Sequence, residues 1–406
     1  MLVFYVFSAI VIWLGILSLR DGIRFASFVQ SESARTLPRF TPFVSVIAPC
    51  RGLDQGLREN LAALFRQDYP AYEIVFVTDS ADDSSLSVIG DLKESEAATN
   101  HISTRVIVAG DATDCGQKAH NLRIASNEID PRCEVLAFVD TDARPEPAWL
   151  RSLVAPLHNE QIGAATGYRW FIPMNGGLAS YLLSVWNASI ASALGPNENK
   201  NFCWGGSTAI RRQTFERLKI RDLWRRTVSD DFTMTRALKA AGMSISFVPQ
   251  CLTPSLEDCA FRELFEFTTR QLKITRVYAA HLWKAVFAGS LLFSLVFFGG
   301  IILVGVRLVL GLPIVLPALL LLLIFLLGAA KGLVRMRAVG IPLGNYREQL
   351  RGTLAAHLML WPFTSLLYLY NAIAAAVSRR IQWRGITYEL KSPTEAVIIR
   401  GTDFSL

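Results

Sequence analysis

Apolar positions follow two patterns along this chain. In the first they run without relief. No charged residue lies within residues 1–19, Arg20 and Arg24 follow, and beyond Lys284 the runs 285–306 and 308–330 are parted only by Arg307. Each of these is about long enough to cross a bilayer. A further run, 353–377, carries no acidic or basic residue except His357 and is interrupted by Pro362. In the second pattern, short β-rich runs alternate with stretches of helical spacing. Residues 44–48, 72–78, 104–108, 135–139 and 162–168 read as strands, while 57–65, a segment opening near Gly116, 178–193 and 261–278 read as helices. Strand, loop, helix, strand implies parallel pairing, with ligand-binding loops at the carboxyl ends of the strands.

The expected organisation follows from these runs. Residues 1–24 form an N-terminal transmembrane anchor, 40–280 an α/β domain, and 281–330 two transmembrane helices. Residues 331–352 make a basic loop, 353–377 a third C-terminal membrane segment, and 378–406 a basic tail. No Ala-x-Ala-like cleavage site follows the first run, which favours an uncleaved anchor over a signal peptide. The break at Pro362 marks the last segment as a candidate re-entrant hairpin. About 260 residues of ordinary polarity lie between the spans, enough for one full core.

Composition sharpens this picture. A mean hydropathy of +0.33 with only 18% charged residues is too apolar for an ordinary soluble enzyme of 406 residues, and the excess is localised in the runs above. The net charge of +7 comes largely from Lys and Arg beside those runs. It suits an anionic membrane face and a phosphate-bearing substrate, and no basic run suggests nucleic acid. Arg20, Arg24, the loop and the tail, with Arg379, Arg380 and Arg384, are expected on the cytoplasmic side, which places the α/β domain there too. The six cysteines, 50, 115, 133, 203, 251 and 259, have neither CxxC nor zinc spacing, as in a reducing compartment.

Candidate chemistry gathers where strands end. The run 135–139 delivers Asp140 and Asp142, two carboxylates on one side of an extended chain, able to share one hard cation. By itself an Asp-x-Asp is more often a solvated turn. Asp79 ends the second strand, where a base or ribose would be held; a turn-forming Asp is the plain alternative. Lys118 lies in Cys115-Gly-Gln-Lys-Ala-His-Asn121 at a helix start, a place for a phosphate. Ser229-Asp-Asp231 heads a helix, as a cap or as the acid that takes a proton from an incoming hydroxyl. Trp204-Gly-Gly206 is a glycine-rich turn that would let backbone approach a sugar, or simply turn. Arg270, Lys273 and Arg276 line one edge of a helix and face phosphates of lipid or substrate.

Taken in order, these residues make the domain resemble the inverting GT-A glycosyltransferases of family 2, and within them the ceramide glucosyltransferase group, family 21. The matching pieces are Asp79, Asp140-Thr-Asp142 for DxD, and Ser229-Asp-Asp231 for the (T/S)(E/D)D motif. Arg270-Gln-Leu-Lys273-Ile274 stands in place of (Q/R)xxRW. The segments Gln67-Asp-Tyr-Pro-Ala-Tyr-Glu73, Gln117 to Leu122 and Trp383-Arg-Gly385 also look like that group. The resemblance implies a GT-A nucleotide-diphospho-sugar transferase domain with transmembrane helices on both sides of it in the chain.

It also implies roles. Asp79, Pro49, Arg51, Lys118, Asn121, Asp140, Arg270 and Lys273 would bind the nucleotide sugar. Asp140 and Asp142 would hold Mg²⁺ or Mn²⁺, and Asp231 would be the general base. Trp204, Gly205, Gly206 and Asp230 would lie on the acceptor side. The expected reaction moves a hexose from a UDP-sugar to a membrane lipid hydroxyl, with ceramide first and a hopanoid, diacylglycerol or polysaccharide as alternatives. Lys273 and Ile274 replace the Arg-Trp of the family motif, which argues against a polysaccharide synthase.

Overall fold

A computed structural model describes residues 1–96 and 102–399 of the chain; residues 400–406, the end of the expected tail, lie outside the described residues. The chain opens on helix α1 (Leu2–Ser33) and then builds β1 (Val44–Pro49), α2 (Leu57–Phe65), β2 (Tyr72–Thr78), α3 (Ser85–Ser95) and β3 (Ile102–Val108). Next come α4 (Gln117–Ala125), β4 (Val135–Val139), α5 (Trp149–Val154), β5 (Ile162–Phe171) and α6 (Leu178–Ala191). They are followed by β6 (Ser207–Arg211), α7 (Arg212–Arg217), α8 (Ile220–Leu223), α9 (Asp230–Ala240) and β7 (Ser244–Ser255). Helices α10 (Phe261–Tyr278), α11 (Ala280–Val309), α12 (Val315–Val339), α13 (Arg347–Met359) and α14 (Trp361–Val377) precede β8 (Arg380–Trp383), β9 (Ile386–Ser392) and β10 (Glu395–Ile399).

Two compact units result. The described residues of the first run from 31 to 96, 102 to 171, 193 to 257 and 379 to 399, built on a seven-stranded sheet of order β3-β2-β1-β4-β6-β5-β7. Strands β1 to β4 are parallel, and β6 runs antiparallel between β4 and β5. The near-continuous apolar strands have the composition of a sheet covered on both faces. Val44, Val46 and Ala48 point into a core with Leu61, Phe65 and Leu153, while Ile47, Val75 and Phe138 point into another with Leu122, Trp224 and Leu238. The period-two alternation of side chains divides one strand between two cores. After β3 the chain returns past β1 to add β4 on its other side, so the carboxyl ends of β1 and β4 flank a topological switch point, where open α/β sheets bind ligands.

The expected basic tail takes a definite form within this unit. Strands β8, β9 and β10 make an antiparallel three-stranded sheet. It is held to the surroundings of the seven-stranded sheet by the buried Tyr388, whose hydroxyl accepts from the Gln117 backbone N–H at 3.2 Å.

The second unit comprises residues 1–30, 172–192 and 258–378 and is helical. Helices α1, α11 and α12 are long and apolar enough to cross a membrane. Only 22% of the most apolar window of α11 and of α12 is buried by protein, so their remaining apolar surface is suited to lipid. Val11, Val296, Phe297, Leu321 and Ile324 form the small core that joins the three. The boundaries differ from the sequence reading, and the expected loop 331–352 is largely helical, shared between the end of α12 and the start of α13. Helix α1 continues through Arg20 and Arg24 to Ser33, because solvated cations on good helix formers do not end a helix. Likewise, Arg307 sits inside the last turn of α11, and the break falls at Gly311, in the left-handed region, and Pro313. Helices α13 and α14 meet at a 73° bend, with Pro362 in the first turn of α14, so this stretch is one broken span or a re-entrant pair.

Candidate active site

The switch point of the sheet collects most of the residues singled out from the sequence. Asp79 directly follows strand β2, and its carboxylate meets Arg51 Nε at 3.3 Å from the loop after β1. Arg51 Nη1 is buried and has no hydrogen-bond partner among the described residues, an orphan donor beside Asp79. Pro49 ends β1 beside it.

Lys118 stands in the first turn of α4. That turn lies close to the loop before α9: the Gly116 N–H donates to Thr227 O at 2.8 Å, and a Cβ on Gly116 would sit 2.9 Å from Val228 Cα. Lys118 Nζ therefore reaches two acids, Asp140 Oδ1 at 2.6 Å and Asp230 Oδ2 at 3.7 Å. Gly205 completes the close approach, since a Cβ there would fall 2.5 Å from Asp230 Oδ2 and 2.7 Å from Lys118 Nζ. Burial opposes the charge on Lys118, but Asp140 and Asp230 outweigh it and hold the ammonium above the usual lysine range.

The Asp-x-Asp pair is bound by a cation that sequence reasoning missed. Arg169, on β5, gives Asp142 a two-pronged contact at 3.0 and 3.2 Å and reaches Asp140 Oδ2 at 3.2 Å. Its guanidinium also lies over the Trp204 ring, 4.9 Å from the centroid. Trp204 is only 8% exposed, so its indole is a buried support for Arg169 rather than an open platform for an acceptor. Burial raises the Asp140 carboxyl pKa, yet Lys118, Arg169 and Arg384 together bring it below the ordinary value. The Glu257 carboxyl just after β7 is pushed up to about 7 by burial and by Asp142.

Two acids head α9. Ser229 is the N-cap and accepts from Phe232 N, while Asp231 Oδ1 accepts from the same N–H at 2.7 Å and from the Ser229 hydroxyl. Capping therefore occupies one oxygen of Asp231, which remains partly exposed. Asp230 is buried at the same turn, and burial pushes its carboxyl up to about 7 against the pull of Lys118.

Asn121 is buried and accepts from Gln117 Nε2 at 2.8 Å; Gln117 in turn ties down Gly110 and Ala112, so Asn121 supports the loop before α4. Arg270 and Lys273 belong to α10 in the helical unit, where Arg270 lies over the Phe267 ring and burial lowers the Lys273 pKa.

The donor set suits a hard divalent cation in one form. No group of three or more His, Cys, Asp or Glu side chains gathers as a cage among the described residues. Two carboxylates, Asp140 and Asp142, face one cationic position, now held by Arg169. A Mg²⁺ ion is commonly held by one or two protein carboxylates together with substrate phosphates and water, and these two are the residues that would hold one here.

Among solved structures, a mannosyltransferase from Pyrobaculum calidifontis, in complex with GDP-Man and Mn²⁺, is similar at 19% identity and a TM-score of 0.47, covering 91% of this chain and 98% of its own. GalNAc-T7 with UDP, GalNAc and Mn²⁺ is similar at 17% identity and a TM-score of 0.41, covering 55% and 45%. Glucosyl-3-phosphoglycerate synthase from Mycobacterium tuberculosis is similar at 14% and 0.36, covering 61% and 81%. The profile of glycosyl transferase family 21 matches residues 3–396, from the first apolar helix through the GT-A-like mixed sheet into β10. With nearly its whole length matched, this chain belongs to glycosyl transferase family 21, the ceramide glucosyltransferase family, and is a glycosyltransferase.

Proposed function

We propose that the protein transfers a hexose from a UDP-sugar to the hydroxyl of a membrane lipid of the ceramide type, with inversion at the sugar. The observation that carries this reading is the convergence of Asp79, Lys118, the Asp140/Asp142 pair and Asp231 at the carboxyl ends of neighbouring parallel strands and the heads of two helices. Helices fit for a membrane in the same chain favour a lipid as acceptor.

Asp79 and Arg51 hold the uridine end, and the orphan Nη1 of Arg51 finds its acceptor on the nucleotide. Mg²⁺ or Mn²⁺ on Asp140 and Asp142 would supply positive charge to the departing diphosphate. Lys118 adds a fixed ammonium to the same charge, and its two acid partners keep it protonated through the reaction. The bond from the lipid oxygen to the anomeric carbon forms as the bond to the diphosphate breaks. The hydroxyl proton passes to the Asp231 carboxylate, and UDP leaves. Asp231 suits this role because its place at the head of α9 and its partial exposure leave it within reach of substrate.

The test is incubation of the full-length protein with a panel of UDP-sugars and a total lipid extract, followed by mass spectrometry. A new β-linked monohexosyl lipid is expected. A product of many sugar units, or UDP release with no glycolipid, would overturn the lipid-acceptor reading.

A further inference from the structure

The hairpin at the end of the chain places a cation at the donor site. Strands β8 and β9 pair Trp383 with Ile386, leaving Arg384 and Gly385 as a two-residue turn with φ of 52° and 80°. Positive φ at both positions is the geometry of a type I′ turn, for which the sequence of choice is Asn-Gly. An arginine there costs backbone energy that asparagine would spare. The side chain it presents lies at the switch point. Arg384 Nη2 meets Asp54 at 2.7 Å and Nη1 donates to the Arg51 carbonyl at 3.2 Å, in the loop that also carries the orphan Nη1 of Arg51. Its charge is felt at Asp140 and Asp142. A guanidinium has five N–H donors, so these two bonds leave donors to spare. The acids around the site, Asp54, Asp79, Asp140, Asp142, Asp230, Asp231 and Glu257, outnumber the cations Arg51, Lys118, Arg169 and Arg384, and a diphosphate entering this field needs every cation with an open face.

Resting on the functional reading above, we propose that Arg384 is a donor-binding residue: the C-terminal sheet is a strap that brings its guanidinium to the diphosphate of the nucleotide sugar. Asp54 and the Arg51 carbonyl hold the guanidinium in place from the protein side. Tyr388, bonded to the Gln117 N–H at the head of the Lys118 helix, registers the strap on the same phosphate-facing element. Residues 379–399, which follow the last apolar helix, are then part of the donor site rather than a solvated tail.

The experiment compares calorimetric binding of UDP and of uridine to the full-length protein in detergent, as wild type, Arg384→Ala and Arg384→Lys. Loss of one charge-assisted contact is expected to weaken UDP about tenfold in Arg384→Ala and less in Arg384→Lys, with uridine unchanged. UDP binding unchanged in Arg384→Ala overturns the proposal alone. Equal losses for UDP and uridine overturn it as well, because the strap would then only support the loop. A wild type that binds no nucleoside diphosphate overturns the functional reading and the proposal with it.

Discussion

Arg169→Met is the perturbation that best tests how the acid pair is kept. The substitution keeps apolar volume against Trp204 and removes the guanidinium that neutralises Asp140 and Asp142. Leaving buried charges without their partner costs about 3–5 kcal/mol. The lower end applies here, because the two Asp side chains are 18% and 29% exposed and Lys118 still holds Asp140. For a unit of this size, ~3 kcal/mol corresponds to roughly 6–12 °C in the unfolding midpoint. Tryptophan fluorescence in metal-free buffer at neutral pH should register that fall. Saturating Mn²⁺ should raise the midpoint of the variant more than that of wild type, since in the variant no guanidinium has to be displaced. The pH dependence supplies a second signature. Asp140 has a lowered carboxyl pKa, so the stability its ion pairs contribute is present above the ordinary carboxylate range and is lost as pH falls through the folded value. The gap between variant and wild type should therefore narrow below about pH 4. An unchanged midpoint without metal, or a gap that stays constant on acidification, refutes the view of Arg169 as the counter-ion of the pair.

Other outcomes follow from the same geometry. Asp231→Asn should keep its fold and its UDP affinity and lose about 10²–10⁴ in transfer rate, and near-normal turnover would remove its role as base. Gly205→Ala forces a methyl against Asp230 and Lys118, and should lower both donor affinity and the unfolding midpoint; wild-type values for both would mean that this approach is not tight. Asp230 has its folded pKa raised to about 7, so the folded state holds a proton that the unfolded state loses near pH 4. Its contribution to stability should thus fall as pH rises from about 4 to about 7 and level off above, and Asp230→Asn should abolish that decline in a pH series of midpoints. Exhaustive chelation should abolish transfer, with recovery on adding Mn²⁺ or Mg²⁺; full activity after chelation would remove the metal from Asp140 and Asp142.

The acids of the site were legible in the sequence for a physical reason. Asp79 and Asp140 each follow an apolar strand directly, with Asp142 two residues on, and Ser229-Asp-Asp231 heads a helix, so a local pattern places each at or just past an element's end. Their partners were not legible in the same way. Arg169 meets Asp142 across 27 residues and is brought there by the path of β5 through the sheet, which no local pattern encodes. One signal was available: an arginine inside the otherwise apolar strand Ile162–Phe171 must be paired if it is buried. Trp204 could be seen as an aromatic in a glycine-rich turn, but whether it faces ligand or Arg169 depends on side-chain packing.

By itself the sequence determined strands β1 to β5 and helices α2, α4 and α9 of the α/β unit, the apolar runs fit for a membrane, and the order of acidic motifs, but not the later strands or the C-terminal sheet. Periodicity and element-end chemistry are local properties that burial and the peptide backbone impose at once. Only the tertiary structure decided which charges share a site: Lys118 between Asp140 and Asp230, Arg169 across the Asp-x-Asp pair, and Arg384 arriving from the chain's last sheet. Coulomb energy depends on distance through space, and the pairing of strands remote in sequence is what sets that distance.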